Sequence, residues 1–137
     1  MEKRLKLELD MRVSVSAIIV VGGKVLLLKR SADLANFPGE WSFPGGKVEE
    51  GDQSSFDAIL REIEEETNIN LYDDYELFTS HQLAPVYDVE NRFAVQGVII
   101  KTNLLNHDAF LQSPVRISGE HVDFMWCPVD LVLNVLT

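Results

Sequence analysis

The chain has 137 residues, of which 46% are hydrophobic and 25% charged, and these proportions exclude a fibrous or disordered protein. Its single cysteine excludes an internal disulfide framework and favours a cytoplasmic location, and no apolar run approaches the roughly 20 residues that span a bilayer. Lysine and arginine number 12 and aspartate and glutamate 22, so the formal charge of −10 disfavours nucleic-acid polymers as partners and attracts divalent cations.

The N-terminal part of the chain predicts strands. Apolar and polar residues alternate over Leu5–Leu9 and again over Val13–Val21, as they do in half-buried strands. Gly22-Gly23 separates the second run from Lys24–Leu28, and a Gly-Gly pair in that position predicts an antiparallel hairpin. Because Leu5–Leu9 can pair at an edge with another copy, we expect a monomer or a homodimer.

A loop and a helix follow the hairpin. Glycine and proline interrupt residues 31–51 repeatedly, which predicts a loop with one short strand at Trp41–Phe43. The predicted helix begins after Ser54, which forms an S-x-x-D capping box with Asp57, and apolar residues then recur at helical spacing. The helix ends at Asn68, because asparagine tolerates the left-handed conformation at a helix C-terminus.

The second half of the chain predicts three further strands and a short helix. The strands lie at Tyr75–Thr79, Phe93–Lys101 and Val122–Trp126, which are rich in β-branched and aromatic residues, and the final helix begins at Pro128. Strands and helices alternate without a regular βαβ rhythm, and no repeat or linker divides the chain. We therefore predict one α+β domain with a mixed sheet over residues 1–137.

The main predicted helix carries an acidic cluster. At about 100° per residue, Glu62, Glu65 and Glu66 share one face beside the apolar stripe, where like charges repel by about 0.2–0.5 kcal/mol per pair. One interpretation is a solvated acidic surface. The other is a site for a hard cation such as Mg²⁺, which binds carboxylates, water and phosphate. Arg61 would then orient a glutamate through a forked hydrogen bond or form a surface ion pair.

Two segments resemble a known family motif. Gly46–Asp52 and Arg61–Ile69 are similar to the Nudix box, G-x5-E-x7-R-E-U-x-E-E-x-G-U, in which U is aliphatic. The sequence departs from the box at three points: Asp52 replaces glutamate, eight residues instead of seven separate it from Arg61, and Asn68 replaces glycine. None of these departures touches the glutamates at the end of the motif.

The resemblance implies an α/β/α sandwich and an enzyme that hydrolyses a nucleoside diphosphate linked to another moiety, with water as nucleophile and Mg²⁺ or Mn²⁺ as cofactor. By position, the implied metal ligands are Glu62, Glu65, Glu66 and the Gly45 carbonyl. Arg61 supports this set. The general base is Glu65, Glu66 or Glu120, of which the last lies in a Gly-Glu-His stretch similar to the loop glutamate of some family members.

The resemblance leaves the substrate open among small nucleotides. Segments between Leu26 and Gly46 resemble the motif before the box in coenzyme A diphosphatases. Pro85 has the spacing of ADP-ribose hydrolases and Tyr87 that of dinucleoside polyphosphate hydrolases, while nucleoside triphosphates and nucleotide sugars also fit the family. The candidate substrate-binding residues are Arg30 and Lys47 for phosphate, Trp41 for a nucleobase, and Gly46.

The sequence also allows one alternative function and contains four isolated histidine and cysteine residues. The alternative is a non-catalytic Nudix-fold module that binds nucleotides or a protein partner, which the retained glutamates disfavour. His81, His107 and His121 show no metal-ligand spacing, and we expect them at the surface or in loops. Cys127 has no activating neighbours in the sequence and is expected to be a small core residue.

Overall fold

The computed structural model describes residues 12–35, 37–68, 78–102, 117 and 119–136. Its strands are β1 (Arg12–Val21), β2 (Lys24–Arg30), β3 (Trp41–Ser42), β4 (Gly45–Lys47), β5 (Phe78–Gln82), β6 (Val86–Asp88), β7 (Phe93–Thr102) and β8 (His121–Pro128). Its α-helices are α1 (Ser55–Thr67) and α2 (Val132–Leu136), the second of which follows a 3-10 turn at Val129–Leu131. The predicted strand Leu5–Leu9, and with it the edge proposed for a dimer, lies outside the described residues.

The strands of the described residues form one mixed sheet, as predicted. Its order is β3-β2-β1-β7-β5, with β4 paired to β1, β6 to β7 and β8 to β2. The predicted hairpin is confirmed, because β1 and β2 pair antiparallel with Val21 opposite Lys24. The pairing of β1 with β7 is parallel along nearly the whole of both strands.

The sheet is covered on both faces, which makes a three-layer α/β/α arrangement and confirms the expected architecture. One apolar cluster joins β1, β2 and β7 to α1, and a second joins β2 and β8 to α2. All of Val25–Leu28 is buried, since alternate residues of β2 enter the two clusters. A strand buried on both faces is apolar throughout and does not alternate, as this one shows.

The two ends of α1 form as predicted. The Ser54 hydroxyl accepts a hydrogen bond from the Asp57 N–H at 3.1 Å, which satisfies one of the unpaired donors of the first turn. Asn68 adopts a left-handed conformation with φ 63°, and its N–H donates to the Glu64 carbonyl at 2.9 Å. Between these ends the helix buries an apolar face against the sheet that includes Ile59 and Ile63.

Several local predictions need correction. The short strand predicted at Trp41–Phe43 stops at Ser42, and the strand predicted at Tyr75–Thr79 extends to Gln82, its residues 75–77 lying outside the described ranges. Two three-residue strands, β4 and β6, were not predicted, because each forms by pairing with a long neighbour and has no periodic pattern of its own. None of the helices in the described residues has the length and apolar character needed to cross a membrane.

Candidate active site

The C-terminal half of α1 lies against β4, and this contact brings two of the three predicted carboxylates to the backbone of the Gly45-Gly46 segment. Strand β4 is held by its antiparallel pairing with β1, where Gly45 lies opposite Ser16. The Gly45 N–H donates to Oε1 of Glu66 at 2.8 Å. Glu62 lies one helical turn earlier on the same face, beside Gly46.

Neighbouring atoms leave no space for a Cβ at either of these two glycines. A Cβ added to Gly46 would lie 2.5 Å from the carboxylate carbon of Glu62, and one added to Gly45 would overlap the carbonyl oxygen of Val15. Neither glycine has a positive φ, so the constraint is the closeness of the helix and of β1, not backbone conformation. A side chain at Gly45 would have to displace the backbone of β1, whereas one at Gly46 would displace the Glu62 carboxylate.

Glu66 is a buried carboxylate. It is only 6% exposed, and the loss of solvation raises its pKa to about 8 in spite of the hydrogen bond from Gly45. The negative charges of Glu62 and Glu120 raise this pKa further, and the positive charge of Arg30 lowers it. Burial also raises the pKa of Glu62, although the guanidinium of Arg61 opposes that shift.

Arg61 joins the loop before α1 to the acidic face of the helix. Its Nε and one terminal nitrogen donate to the two carboxylate oxygens of Asp52, at 3.0 and 2.9 Å, and the same terminal nitrogen donates to the Lys47 carbonyl at 3.1 Å. Its other terminal nitrogen lies 3.0 Å from Oε1 of Glu62 and 3.3 Å from Oε2 of Glu65. The two-nitrogen fork therefore holds Asp52, not a glutamate, and only one nitrogen of Arg61 contacts the glutamates of the acidic face.

The Arg61–Asp52 pair shifts the pKa values of both partners in the direction that keeps them charged. The paired guanidinium holds the pKa of Asp52 below its usual range, even though Asp52 is only 7% exposed. Asp52 in turn raises the pKa of Arg61. Asp52 also accepts the Glu49 N–H at 2.8 Å, which closes the loop before the helix.

The third predicted ligand, Glu65, is oriented differently from the other two. Its side chain is 58% exposed and contacts Arg61. Within the part of the chain that the structure describes, no three histidine, cysteine or acidic side chains converge on one point. An exposed glutamate on a helix surface changes rotamer at low cost, so Glu65 is able to approach Glu62.

The donors at this position fit a divalent cation. Carboxylates and a backbone carbonyl are hard oxygen ligands of the kind that Mg²⁺ and Mn²⁺ take. Burial is the main reason that the pKa values of Glu62 and Glu66 are raised, so ionising either carboxylate in this environment costs free energy. A cation would offset the desolvation and repulsion responsible for those shifts.

Two further predicted residues lie within electrostatic range of Glu66. Arg30 ends β2, and its positive charge acts on both Glu66 and His121. Glu120 is exposed in the turn before β8, and its carbonyl accepts the Ser31 N–H at 2.9 Å. A basic residue at the end of β2 and an acidic residue before the start of β8 therefore both act electrostatically on the buried glutamate.

Lys47 and Trp41 are placed differently. Lys47 is exposed at the end of β4, and its contact with Arg61 is made by its carbonyl. Trp41 lies opposite Lys29 on β3 and packs partly buried against the second apolar cluster, the one that α2 covers. Because α1 covers the other face of the sheet, the structure does not bring Trp41 together with the carboxylates.

The expectation that His121 lies at the surface or in a loop is wrong, and His121 was not among the predicted site residues. It begins β8, is 5% exposed, and has its Nε2 3.3 Å from Oε2 of Glu66. Burial lowers its pKa, the charge of Arg30 lowers it further, and Glu120 opposes the shift. Cys127 is buried as expected and His81 is exposed, while His107 lies outside the described residues.

Comparisons with known proteins identify relatives of this sequence. The NUDIX domain profile matches residues 10–136. The m7GpppN-mRNA hydrolase NUDT17 of Danio rerio is 49% identical over 51 residues, which are 37% of this chain, and the match covers only 17% of the length of that relative and of its Xenopus laevis counterpart. The nucleoside triphosphatase NudI of Escherichia coli is 32% identical over 136 residues, with 92% of this chain and 91% of that protein covered.

A solved structure extends the comparison to the fold. The crystal structure of the MutT protein from Methanosarcina mazei Go1 has a TM-score of 0.64 and 25% sequence identity, and the match covers 93% of this chain and 85% of that chain. The profile, the relative matched over most of its length and the shared fold all agree on one assignment. This chain belongs to the Nudix family of hydrolases.

Proposed function

We propose that this protein is an Mg²⁺-dependent pyrophosphohydrolase of small nucleotides and that nucleoside triphosphates are its leading substrate class. The observation that supports the proposal is the packing of Glu62 and Glu66 against the Gly45-Gly46 backbone. On the same helix, Arg61 contacts both Glu62 and Asp52, which lies in the preceding loop. The choice of substrate class is supported by NudI, a nucleoside triphosphatase whose match covers 91% of its own length.

In this proposal the metal is held by Glu62, Glu66, the Gly45 carbonyl and, after a change of rotamer, Glu65. Bound Mg²⁺ supplies charge neutralisation for the phosphates and lowers the pKa of a coordinated water. Mn²⁺ has the same preference for oxygen ligands and is expected to substitute for it. The formal charge of −10 gives the protein no broad attraction for a polyanion, so we expect a small substrate that enters with its cations.

The chain's own residues orient charge and accept a proton. Arg61 limits the repulsion between Glu62 and Glu65 by contacting both. The positive charge of Arg30 acts on Glu66, and we propose that Arg30 contacts a substrate phosphate. Since Glu66 accepts from Gly45 and contacts His121, the exposed Glu65 and Glu120 are better placed to receive a proton from water.

The proposed reaction is hydrolysis of a phosphoanhydride bond. A water oxygen bonds to one phosphorus of the anhydride, the bridging P–O bond breaks, and the leaving phosphate takes the bridging oxygen. A glutamate accepts one proton of the water. For a nucleoside triphosphate attacked at the α-phosphorus, the products are a nucleoside monophosphate and pyrophosphate.

The test is a hydrolysis screen read by mass spectrometry in ¹⁸O-labelled water. The purified protein is offered nucleoside triphosphates, ADP-ribose, coenzyme A, dinucleoside polyphosphates, nucleotide sugars and a methylated cap analogue, with Mg²⁺ or with a chelator. We expect Mg²⁺-dependent cleavage, highest for nucleoside triphosphates, and the labelled product identifies the phosphorus attacked.

Matched variants assign the activity to this site. Glu62→Gln and Glu65→Gln should each reduce kcat by about a hundredfold or more, as loss of a ligand or base does. Glu64→Gln, an exposed position on the same helix, should retain wild-type turnover. Wild-type turnover in folded Glu62→Gln and Glu65→Gln proteins would remove the site from the mechanism, and no turnover on any substrate would favour the non-catalytic binding module.

A further inference from the structure

Strand β8 contains an irregularity at the point where it reaches the candidate active site. Its antiparallel pairing with β2 is one-to-one as far as Lys29 and Asp123, but the next residue of β2, Arg30, lies opposite His121. Val122 is therefore an extra residue without a partner on β2, which is the arrangement of a β-bulge.

The bulge changes the face of the sheet to which His121 belongs. In an unbroken strand, His121 would share a face with Cys127, six residues away, which enters the cluster under α2. The extra residue reverses this alternation, so His121 lies on the face of Trp126 and Arg30, the face that α1 covers. The bulge thereby places an imidazole against the acidic end of α1.

Glu66 is held at both of its carboxylate oxygens in the resulting arrangement. The Gly45 N–H donates to Oε1 at 2.8 Å, and Nε2 of His121 lies 3.3 Å from Oε2. The two side chains are 6% and 5% exposed, so water does not compete freely for the contact. One partner comes from β4 and the other from β8, and together they fix both the position and the rotation of the carboxylate.

We propose that His121 is a positioning residue, which donates a hydrogen bond from Nε2 to Glu66 and so holds this carboxylate in the orientation that binds the metal. This inference rests on the proposed function, since it assigns the purpose of the contact to a cation at Glu66. Partners of this kind orient the ligands of a metal site, and their loss costs about 10- to 100-fold in metal affinity or activity.

The experiment measures Mn²⁺ affinity of the metal-free protein by electron paramagnetic resonance, together with kcat and KM for the best substrate of the screen. His121→Leu removes the donor at nearly constant volume, whereas His121→Gln keeps an N–H donor of similar reach. We expect the Leu variant to bind Mn²⁺ at least about tenfold more weakly and the Gln variant to remain within about threefold of wild type.

Two further variants separate positioning from folding. Gln96→Leu is the matched control, because Gln96 is a buried polar residue on β7 that bonds to backbone carbonyls, and its loss should lower stability without changing Mn²⁺ affinity. If His121→Leu does not fold, His121→Asn replaces it, since the shorter amide keeps the site polar but does not reach Glu66. His121→Asn is expected to lose affinity as the Leu variant does.

A double-mutant cycle tests whether His121 acts through Glu66. In a Glu66→Gln background, removal of the imidazole should change Mn²⁺ affinity by less than about twofold, because the group it orients has lost its charge. Wild-type Mn²⁺ affinity in the folded Leu or Asn variant, equal losses in the Gln and Leu variants, or a full loss in the Glu66→Gln background would overturn the inference. Mn²⁺ binding without hydrolysis of any substrate would defeat the proposed function and leave this comparison valid.

Discussion

At the scale of single residues, the candidate site depends on two positions that carry no side chain. Gly22, Gly23 and Gly39 of this chain have positive φ values and serve turns. Gly45 and Gly46 do not: Gly45 leaves room for the backbone of β1, and Gly46 leaves room for the Glu62 carboxylate beside it. Glycine is needed at such a point because any Cβ would occupy the space of the group being contacted.

Gly46→Ala tests this role. The new methyl group would meet the far end of the flexible Glu62 side chain, so the fold should survive with a change in the free energy of unfolding of about 1 kcal/mol or less. The carboxylate would nevertheless be displaced by about an ångström, and kcat should fall by about a hundredfold. Steady-state kinetics and urea denaturation measure the two effects separately.

Gly51→Ala is the control for that variant. Gly51 lies in the loop before α1, has no atom within 4 Å of a built Cβ and does not have a positive φ, so alanine there should leave both kcat and stability close to wild type. Equal loss of kcat in the two variants would show that the space beside Glu62 is not what matters.

At the scale of elements, the loop before α1 is joined to the helix by the Asp52–Arg61 pair. Aspartate is one methylene shorter than the glutamate usual in the box, and the loop here is one residue longer. The two departures occur together with an intact forked pair, at 3.0 and 2.9 Å. The longer loop and the shorter side chain are therefore compatible with a complete Asp52–Arg61 contact.

Asp52→Asn should weaken this junction in a pH-dependent way. Loss of one charge-assisted hydrogen bond is expected to lower the free energy of unfolding by about 1–3 kcal/mol at pH 7. The pKa of Asp52 is lower in the folded protein than its usual 3.8, so its stabilisation is complete above that pH and is lost as the pH falls through the folded value. The difference between wild type and variant should therefore shrink below about pH 3.8.

The measurement is urea denaturation of both proteins between about pH 2.5 and pH 7, a range that includes the titration of an aspartate. Asp130→Asn, at an exposed position after β8, serves as the control and should show neither the loss nor its pH dependence. A difference between wild type and Asp52→Asn that stays constant down to the lowest pH would contradict the ionic origin of the stabilisation.

At the scale of the whole molecule, the protein combines a formal charge of −10 with a buried carboxylate whose pKa is raised to about 8. Both features make the folded state costly in electrostatic terms. A cation that binds only to the folded form offsets part of that cost, and its effect on stability is set by its concentration relative to its dissociation constant.

Mg²⁺ or Mn²⁺ should therefore stabilise the protein specifically. At about 100 times the dissociation constant, the free energy of unfolding should rise by about 2.7 kcal/mol, and removal of the metal by a chelator should reverse the gain. Sodium chloride at equal ionic strength controls for screening of the net charge. A gain that sodium chloride reproduces, or one that persists in a Glu62→Gln, Glu66→Gln double variant, would show that the metal acts without this site.

The parts of this protein that its sequence by itself determined are those specified by local rules. Hairpin β1–β2 follows from two periodic runs around Gly22-Gly23, and the ends of α1 follow from the capping chemistry of Ser54 and Asn68. The family assignment follows from the spacing of the motif residues along the chain. The hairpin and the helix ends were predictable because they depend on neighbouring residues, and the family because the motif is read from spacing along the chain without its contacts.

Only the tertiary structure decided which of these residues meet. Strand β4 exists through its pairing with β1, and Trp41 lies on the face of the sheet that α1 does not cover. The extra residue at Val122 sets the alternation of β8 and so turns His121 toward Glu66. These contacts join segments more than twenty residues apart, and a one-residue change of strand register reverses the face on which a side chain lies.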